Sequence, residues 1–208
     1  MAIPPKPSVF AGDHLALDFL NSRVGTNVES QDRLAGGASF LQWLLDVGAI
    51  DSTVFQSFLG ASTSLEDAAE EARGLRLWLL GLFDEDTGIP SRQKFEASIG
   101  VLNQLLARDS TFHAVEVTGD PDGEKILKLH IERRWTDATS LLQPIAIAIG
   151  DLFCNASLHL IKQCNASDCV LYFYDRTKAH RRRWCNMATC GNRAKAAANR
   201  ARKGQAAK

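Results

Sequence analysis

The sequence predicts an α+β protein in two parts: a mainly helical N-terminal α/β domain with one β-hairpin, and a small C-terminal module that ends in a helix. Three observations lead to this prediction. Apolar residues recur at helical spacing through most of the first 109 residues, and two alternating segments then flank the turn "GDPDG". In the last 45 residues, two pairs of cysteines precede an alanine-rich basic run.

The N-terminal helices are predicted from their apolar periodicity and from residues that are typical of helix ends. Gly48 is a typical terminator, Asp51 a typical N-cap and Pro90 a typical first-turn residue. Ser64 and Asp67 resemble a capping box. The predicted helices cover 39–50, 51–60, 64–86 and 90–109, whereas the apolar segment 14–24 fits either a strand or a short helix.

After these helices, the spacing of the apolar residues changes from the helical period to alternation. Residues 112–118 and 125–133 alternate around a turn of Gly, Asp and Pro, which predicts a β-hairpin. The apolar stretch 137–156 predicts a buried helix that starts or bends at Pro144, with Cys154 as a core thiol. A short strand is then predicted in 158–164, and another in "VLYFYD" (170–175), whose two faces would separate Leu171 and Phe173 from the two tyrosines.

Composition places the chain among ordinary globular proteins, with 45% hydrophobic and 23% charged residues. The first residues, "MAIPPKPSVFAGDH", do not resemble a secretory signal, and no long apolar run predicts a membrane span. We therefore expect a cytoplasmic protein without a membrane partner, whose thiols stay reduced.

Charge is divided unevenly along the chain, although the formal net charge is zero. Residues 1–161 contain 22 Asp/Glu and 12 Lys/Arg, whereas residues 162–208 contain 2 Asp/Glu and 12 Lys/Arg. The change of sign predicts a domain boundary near residue 160, with domains 1–160 and 161–208. A strongly basic module indicates a polyanionic partner, and a solvated basic tail is the alternative.

Four cysteines form the symmetrical pattern C-x4-C-x15-C-x4-C: Cys164, Cys169, Cys185 and Cys190. Structural zinc takes four tetrahedral ligands, often thiolates, and two close pairs allow two short turns to hold one ion. A segment this short buries too little apolar surface to fold well alone, so metal binding would supply the missing free energy. We predict one Zn²⁺ per chain; disulfides, buried free thiols and His180 as a replacement ligand are the alternatives.

Basic residues flank the second cysteine pair. Beyond it, an alanine-rich helix is predicted from about 193 to 203, with Asn192 as its N-cap. A slim basic helix fits a DNA major groove, where its cations neutralise phosphates. Arg193 has a structural alternative, in which it folds back onto carbonyls or onto Asp175. The predicted nucleic-acid contacts are Arg181, Arg182, Arg183, Arg193, Lys195, Arg200 and Arg202.

A second polar group lies near the N-terminus. His14, Asp18, Asn21 and Arg23 are close in sequence and form a candidate ligand pocket. The simpler interpretation is that Asp18 and Asn21 make structural hydrogen bonds at the end of an element. The sequence lacks a G-x-S-x-G elbow, an H-E-x-x-H motif and a phosphate-binding glycine loop, so we do not predict an enzyme.

Residues 164–204 resemble the CGNR zinc finger, which is named for the run Cys190-Gly191-Asn192-Arg193; "RRWC" and "CGNRAK" stand where that family has them. The upstream part is similar, more weakly, to the ABATE domain, through "LALDFLNS" (15–22) and "ARGLRLWLL" (72–80). The resemblance implies an α/β N-terminal domain, a treble-clef-like zinc finger with a C-terminal helix, and a role in bacterial stress-linked transcription regulation.

The leading hypothesis is a zinc-dependent transcription regulator whose finger binds duplex DNA and whose N-terminal domain senses a small-molecule effector or forms a homodimer. The sequence leaves two alternatives. The finger would instead bind RNA or another protein, or the N-terminal domain would be a small-molecule enzyme.

Overall fold

The computed structural model describes residues 11–24, 31–85, 87–119 and 124–206. Within this part of the chain, 3₁₀ turns at Ala138–Leu142 and Leu158–Leu160 flank the sixth helix, and a π-helical turn at Met187–Gly191 precedes the seventh. The helices are α1 (Leu15–Leu20), α2 (Gly37–Asp46), α3 (Ser52–Phe58), α4 (Ser62–Gly81), α5 (Arg92–Leu106), α6 (Gln143–Asn155) and α7 (Asn192–Ala206).

The strands of the described residues form three two-stranded antiparallel sheets. The first joins β1 (Arg23–Val24) to β2 (Gln31–Asp32), and the last joins β5 (Ile161–Gln163) to β6 (Tyr172–Tyr174). The longest is the predicted hairpin, with β3 (Thr111–Gly119) paired to β4 (Lys125–Arg133). The predicted α+β fold class is confirmed.

Local capping explains most helix starts. The Asp51 carboxylate accepts a hydrogen bond from the Val54 N–H at 2.9 Å, and Gly48 adopts the left-handed conformation with φ +71° after α2. The ambiguous segment 14–24 begins as α1, because the His14 ring accepts from the Ala16 N–H at 3.2 Å. The capping box predicted at Ser64 is wrong: α4 begins earlier, and the Ser64 hydroxyl donates to the Ala61 carbonyl.

The helices enclose one large apolar core. Phe19 packs on Trp43 with ring centroids 5.9 Å apart, and Phe95 stacks on Phe153 at 4.1 Å. Close approach of α2 and α4 requires a glycine, since a Cβ at Gly37 would lie 2.6 Å from Leu65. These contacts give the N-terminal part its own dry interior.

The window 138–155 is long and apolar enough to cross a membrane, with a mean hydropathy of 1.2. However, 61% of it is buried inside the protein, as expected for a core helix. Within this window Leu152 and Phe153 face the core, whereas Cys154 is exposed. The prediction of a core thiol is therefore wrong, because the helical period turns Cys154 outward.

A second, smaller core surrounds the four cysteines and includes Leu171, Phe173 and, from the other end of the chain, Ala11. As the alternation predicted, Leu171 and Phe173 face this core, whereas Tyr172 and Tyr174 pack on the large one. Strand β6 therefore has one face in each core.

Polar contacts tie β6 to the N-terminal part. The Asn21 side-chain amide donates to the Tyr172 carbonyl at 2.7 Å, and its oxygen accepts from the Tyr172 N–H at 2.9 Å. The Tyr174 N–H donates to the Gly12 carbonyl at 2.8 Å. We call the set Gly12, Asn21, Tyr172 and Tyr174 the junction. The junction joins the two sides of the predicted domain boundary near residue 160. That boundary therefore stays a prediction.

Candidate metal centre and basic surface

The four paired cysteines converge on one point. All four are buried, and their sulfur atoms lie within 4.8 Å of one another. The Sγ atoms of Cys169 and Cys185 are 3.7 Å apart, and those of Cys185 and Cys190 are 3.6 Å apart. Four thiolates about 2.3 Å from one tetrahedral zinc would be separated by roughly 3.8 Å, so the donor set fits a structural Zn²⁺.

The first cysteine pair is placed by backbone hydrogen bonds. The Cys164 N–H donates to the Leu171 carbonyl at 2.9 Å, just beyond β5, and the Cys169 N–H donates to the Ala166 carbonyl at 3.0 Å. The two bonds fold 164–171 into a compact turn whose sulfur atoms point the same way. The Asn165 N–H also donates to Arg183, which joins this turn to the segment before the second pair.

The second pair is shaped by Asn186. Its side-chain oxygen accepts from the N–H of Ala188 at 2.7 Å and from that of the next residue, which starts the π-helical turn containing Cys190. The predicted N-cap Asn192 is wrong, since Asn192 lies within α7. Gly191 lies under the Met187 side chain: a Cβ there would lie 2.4 Å from the Met187 sulfur, so that side chain would have to move.

Hydrogen bonds to sulfur complete the centre. The Cys185 N–H donates to the Cys164 sulfur at 3.3 Å, and the Arg193 guanidinium donates to the Cys190 sulfur at 3.2 Å. Such donors orient metal-bound thiolates and offset part of their negative charge. The hydrogen bond to Cys190 raises the pKa of Arg193.

Ionisation of the cysteines is strongly unequal without a cation. A hydrogen bond from Cys185 lowers the pKa of Cys169 to about 5, and the same contact, together with burial, raises the pKa of Cys185. Burial also raises the pKa of the Cys164 thiol. Four thiolates this close repel one another, so the fully ionised site requires the positive charge of a metal.

Asp175 holds the basic segment 176–183 in place through hydrogen bonds to its buried carboxylate. Its carboxylate is fully buried and accepts from the Lys162 ammonium at 2.7 Å, the Thr177 hydroxyl at 2.6 Å and the Arg182 N–H at 2.9 Å. Burial alone would raise the pKa of Asp175, but these donors outweigh burial and hold it well below its ordinary value. The loop that carries the three arginines is therefore folded around a buried anion.

Two of the predicted nucleic-acid contacts are occupied within the protein. The Arg182 guanidinium lies 4.3 Å from the centre of the Phe173 ring, donates to the Trp184 carbonyl at 3.0 Å and pairs with Asp13. Arg193 pairs with Asp168, not with Asp175 as the structural alternative supposed. Both guanidinium groups therefore hold the finger together in this structure.

The other predicted contacts lie at the surface: Arg181, Arg183, Lys195, Arg200 and Arg202 are all exposed. Arg183 lies over the Trp184 ring at 5.2 Å, and Arg202 contacts Asn199 on the same helix. No carboxylate occurs in the sequence after Asp175, and Asp168, which borders the same cavity as Arg200, pairs with Arg193.

The four candidate pocket residues divide between two cavities. His14 and Asp18 border an open cavity of about 700 Å³, where the His14 ring lies 3.2 Å from Asp151 and burial lowers the pKa of His14. Asn21 and Arg23 border a different cavity of about 210 Å³ between α4 and the C-terminal module. Asp18 accepts from the Gly12 N–H at 2.9 Å. Asp18 and Asn21 thus both make structural hydrogen bonds.

Sequence reasoning missed the residues that support the centre. Ala11 and Asp13 lie more than 150 positions from the cysteines they contact or support, and no local pattern links them. His180, the alternative ligand, lies outside the sulfur cluster, and its ring faces the Asp175 carbonyl at 3.2 Å. No disulfide joins the five cysteines, all of which belong to the described part of the chain.

Together the fold and the site define a zinc-finger protein with a helical N-terminal domain. Residues 161–203 match the family model of the CGNR zinc finger. Residues 13–156 match the model of the ABATE family, which is described as "Putative stress-induced transcription regulator". This second match covers more than half of the chain, so the protein belongs to the ABATE family, followed by a CGNR zinc finger that holds one Zn²⁺. No curated protein matches the chain.

Proposed function

We propose that this protein is a zinc-dependent transcription regulator whose finger binds duplex DNA. The observation that carries the proposal is a basic helix, α7, that starts at the metal-held turn and is exposed along nearly all of its described surface. A helix without an apolar face gains little from the rest of the protein. A polyanionic partner gives its exposed cations a role.

The cations of α7 are arranged to face two phosphate walls. At 100° per residue, Arg200 lies on one side of the helix, whereas Lys195 and Arg202 lie on nearly the opposite side. Up to Lys203, the face between them contains only alanines: Ala194, Ala197, Ala198 and Ala201. A slim face between two cationic edges suits a major groove, which admits a helix and is bordered by both backbones.

The contacts divide by role. Arg181, Arg183, Lys195, Arg200 and Arg202 are the proposed phosphate contacts, because all five are exposed. Arg182 and Arg193 position this surface, through Asp13 and Asp168 respectively. The excess of carboxylates in residues 1–161 would repel DNA, so contact is confined to the finger.

The N-terminal domain, residues 1–160, serves in this proposal as a sensor or oligomerisation module in the cytoplasm. The cavity beside Arg23 is the proposed effector site, because Leu80 of α4 and Val170 of the finger both line it. Val170 lies next to the zinc ligand Cys169, so a molecule bound there touches both parts of the protein.

Salt-dependent binding to a duplex of random sequence tests the proposal, with the zinc-loaded full chain as the sample. Five phosphate contacts predict a slope of log K against log [salt] of about −4 to −5. Replacing Arg181 and Arg183 together by alanine should flatten the slope by about 2 and leave the zinc content unchanged. Arg108→Ala, an exposed arginine of the N-terminal domain, is the matched control and should leave the slope unchanged.

Arg182→Ala tests whether Arg182 positions the basic surface instead of contacting phosphate. This variant should lower the stability of the finger and its retention of zinc. A slope that the Arg181/Arg183 double variant leaves unchanged would contradict the proposed contacts. Absence of binding at low salt would make protein binding the better assignment, and tighter binding to RNA of the same length would assign the finger to RNA.

A further inference from the structure

One face of the β3–β4 hairpin is apolar and exposed. The register sets Val115 opposite Leu129 and Val117 opposite Leu127, and directly opposite residues share a face of the sheet. Leu127 is 73% exposed, and Val115, Val117, Leu129 and Ile131 are 58–69% exposed. Isolated exposed aliphatic residues are ordinary, but five that are contiguous on one face are not. We call these five residues the hairpin face.

The hairpin face is turned away from its own protein. The opposite face differs in character: Phe112, Ala114, Thr118 and His130 are partly buried, and its exposed positions are mostly charged, namely Glu116, Lys128 and Glu132 with Ile126. The base of the hairpin is fixed by Arg133, which donates two hydrogen bonds to Asp109 at 2.6 and 3.0 Å. The hairpin is therefore anchored at its base, and its apolar face is open to solvent.

Size favours a partner for this surface. A two-stranded hairpin is marginally stable in water without cover for an apolar face. At about two-thirds exposure, five aliphatic residues present on the order of 500 Å², near the upper limit for a typical monomer. Two such faces packed together would remove about 1,000 Å² from water, which reaches the lower limit for a biological protein interface.

The charges around the hairpin face favour a second copy of the chain over a membrane as its partner. The hairpin face and its neighbours on the same side include no carboxylate among the described residues; the flanking positions are Thr111, His113, Gly119, Lys125 and Arg133. Arg133 is neutralised by Asp109. By contrast, residues 1–161 carry an excess of ten carboxylates, which opposes approach to an anionic bilayer. Two acidic domains can approach most closely where neither presents an acid.

We propose that the hairpin face is a homodimer interface, in which the faces of two chains pack together around a twofold axis. The interface is isologous, so each aliphatic side chain meets the same patch on the partner. The dimer itself does not depend on DNA binding. If the proposed function holds as well, the dimer presents two fingers to two half-sites, and that consequence rests on the proposed function.

Sedimentation velocity of the zinc-loaded full chain, without DNA and from low to high micromolar concentration, tests the interface. The wild type should sediment as a dimer at the upper end of this range. The double variant Leu127→Glu/Leu129→Glu should be a monomer throughout, with unchanged far-UV circular dichroism and zinc content, because both side chains are exposed in the monomer. Amide exchange in 111–133 should slow with concentration in the wild type alone.

Leu59→Glu is the matched control, since Leu59 is also an exposed leucine, at 55%, but lies at the end of α3. It should leave the dimer intact. A wild type that is monomeric at every concentration overturns the proposal, as does a double variant that still dimerises. Wild-type monomer that binds phosphatidylcholine vesicles would assign the face to a membrane instead.

Discussion

The helical N-terminal part of this chain up to residue 160, which we call the body, and the zinc finger are stabilised in different ways. In the body, α2, α4, α5 and α6 enclose a core of large apolar side chains such as Trp43 and Phe153. In the finger, the buried set consists of four cysteines with Ala11, Leu171 and Phe173. The body therefore has the apolar burial of an ordinary domain, whereas the finger depends on its metal, a buried carboxylate and β6, which it shares with the body.

The same difference explains why the finger can be basic. Burial of apolar surface does not require any particular surface charge, but a module held by metal and by Asp175 needs very little apolar sequence. Its remaining positions are then available for cations. Arg181 and Arg183 are exposed beside Arg182, which is used internally, so adjacent residues of one type have different roles.

Zinc removal should have the largest effect. Metal binding to small zinc modules is worth on the order of 10 kcal/mol, so chelation or Cys185→Ser should unfold residues 164–206. The body has its own core and should stay folded, with amide protection retained in α2, α4 and α6. Amide exchange measured with and without chelator tests this expectation.

Cys154→Ser is the control for the cysteine substitution, because Cys154 is exposed and outside the cluster. It should change neither zinc content nor exchange. If chelation instead unfolds the whole chain in a single transition, the prediction of a separable domain 1–160 is wrong.

Within the body, the next largest effect is expected at the pair of Arg76, which is buried, and Asp32, which is partly buried. Burial would raise the pKa of Asp32, but the Arg76 guanidinium outweighs it and lowers the pKa. A carboxyl whose pKa is lower in the folded state contributes stability above its unfolded pKa of about 4, and that contribution is lost as the pH falls further. Asp32→Asn should cost about 3 kcal/mol at neutral pH and less in acid.

Urea unfolding across pH, with chelator present to remove the finger's contribution, measures this dependence. Asp46→Asn is the control, since its pair with Arg33 is partly exposed and 3.7 Å long. It should cost less than about 1 kcal/mol. An Asp32→Asn penalty that does not shrink in acid would show that the carboxylate charge is not what stabilises the fold.

The junction should give the smallest of the three effects. Asn21→Ala removes two hydrogen bonds and leaves the Tyr172 amide and carbonyl without partners, at a cost of about 2 kcal/mol. Because the junction links the two cores, the loss should reduce zinc retention under limiting chelator as well as body stability. Asn155→Ala, which removes one exposed side-chain contact, is the control. Equal effects of both variants would mean that the junction does not couple the cores.

Much of the fold could be predicted because its signals are local. The helical periods, the two strands of the hairpin and the spacing of four cysteines each involve neighbouring residues, and the structure confirms all three. Residues 120–123 of the predicted hairpin turn lie outside the described residues. The errors were also local. Ser64 and Asn192 are typical capping residues, but Ser62 begins α4 and Asn186 starts the turn before α7. Capping preference narrows the choice among nearby polar residues without fixing it, because packing decides where a helix begins.

The candidate pocket residues show a similar limit: local sequence did not predict which side chains meet in the fold. His14, Asp18, Asn21 and Arg23 are close in sequence, yet His14 and Asp18 border one cavity and Asn21 and Arg23 border another. Asn21 and Arg23 follow the end of α1, and the elements that close each cavity come from distant parts of the chain. The hairpin could be predicted, but not which of its faces would be left uncovered.

The sequence by itself determined the zinc ligands, the helical body and the separation of charge, because each follows from residue type and spacing. Only the tertiary structure decided which arginines are exposed and which support the fold. Arg182 is committed to Phe173 and Asp13, and Arg193 to Asp168, through partners that lie up to 169 positions away. The reason is physical: a guanidinium binds whichever carboxylate or ring the folded chain brings within reach, and that distance is not encoded in spacing along the chain.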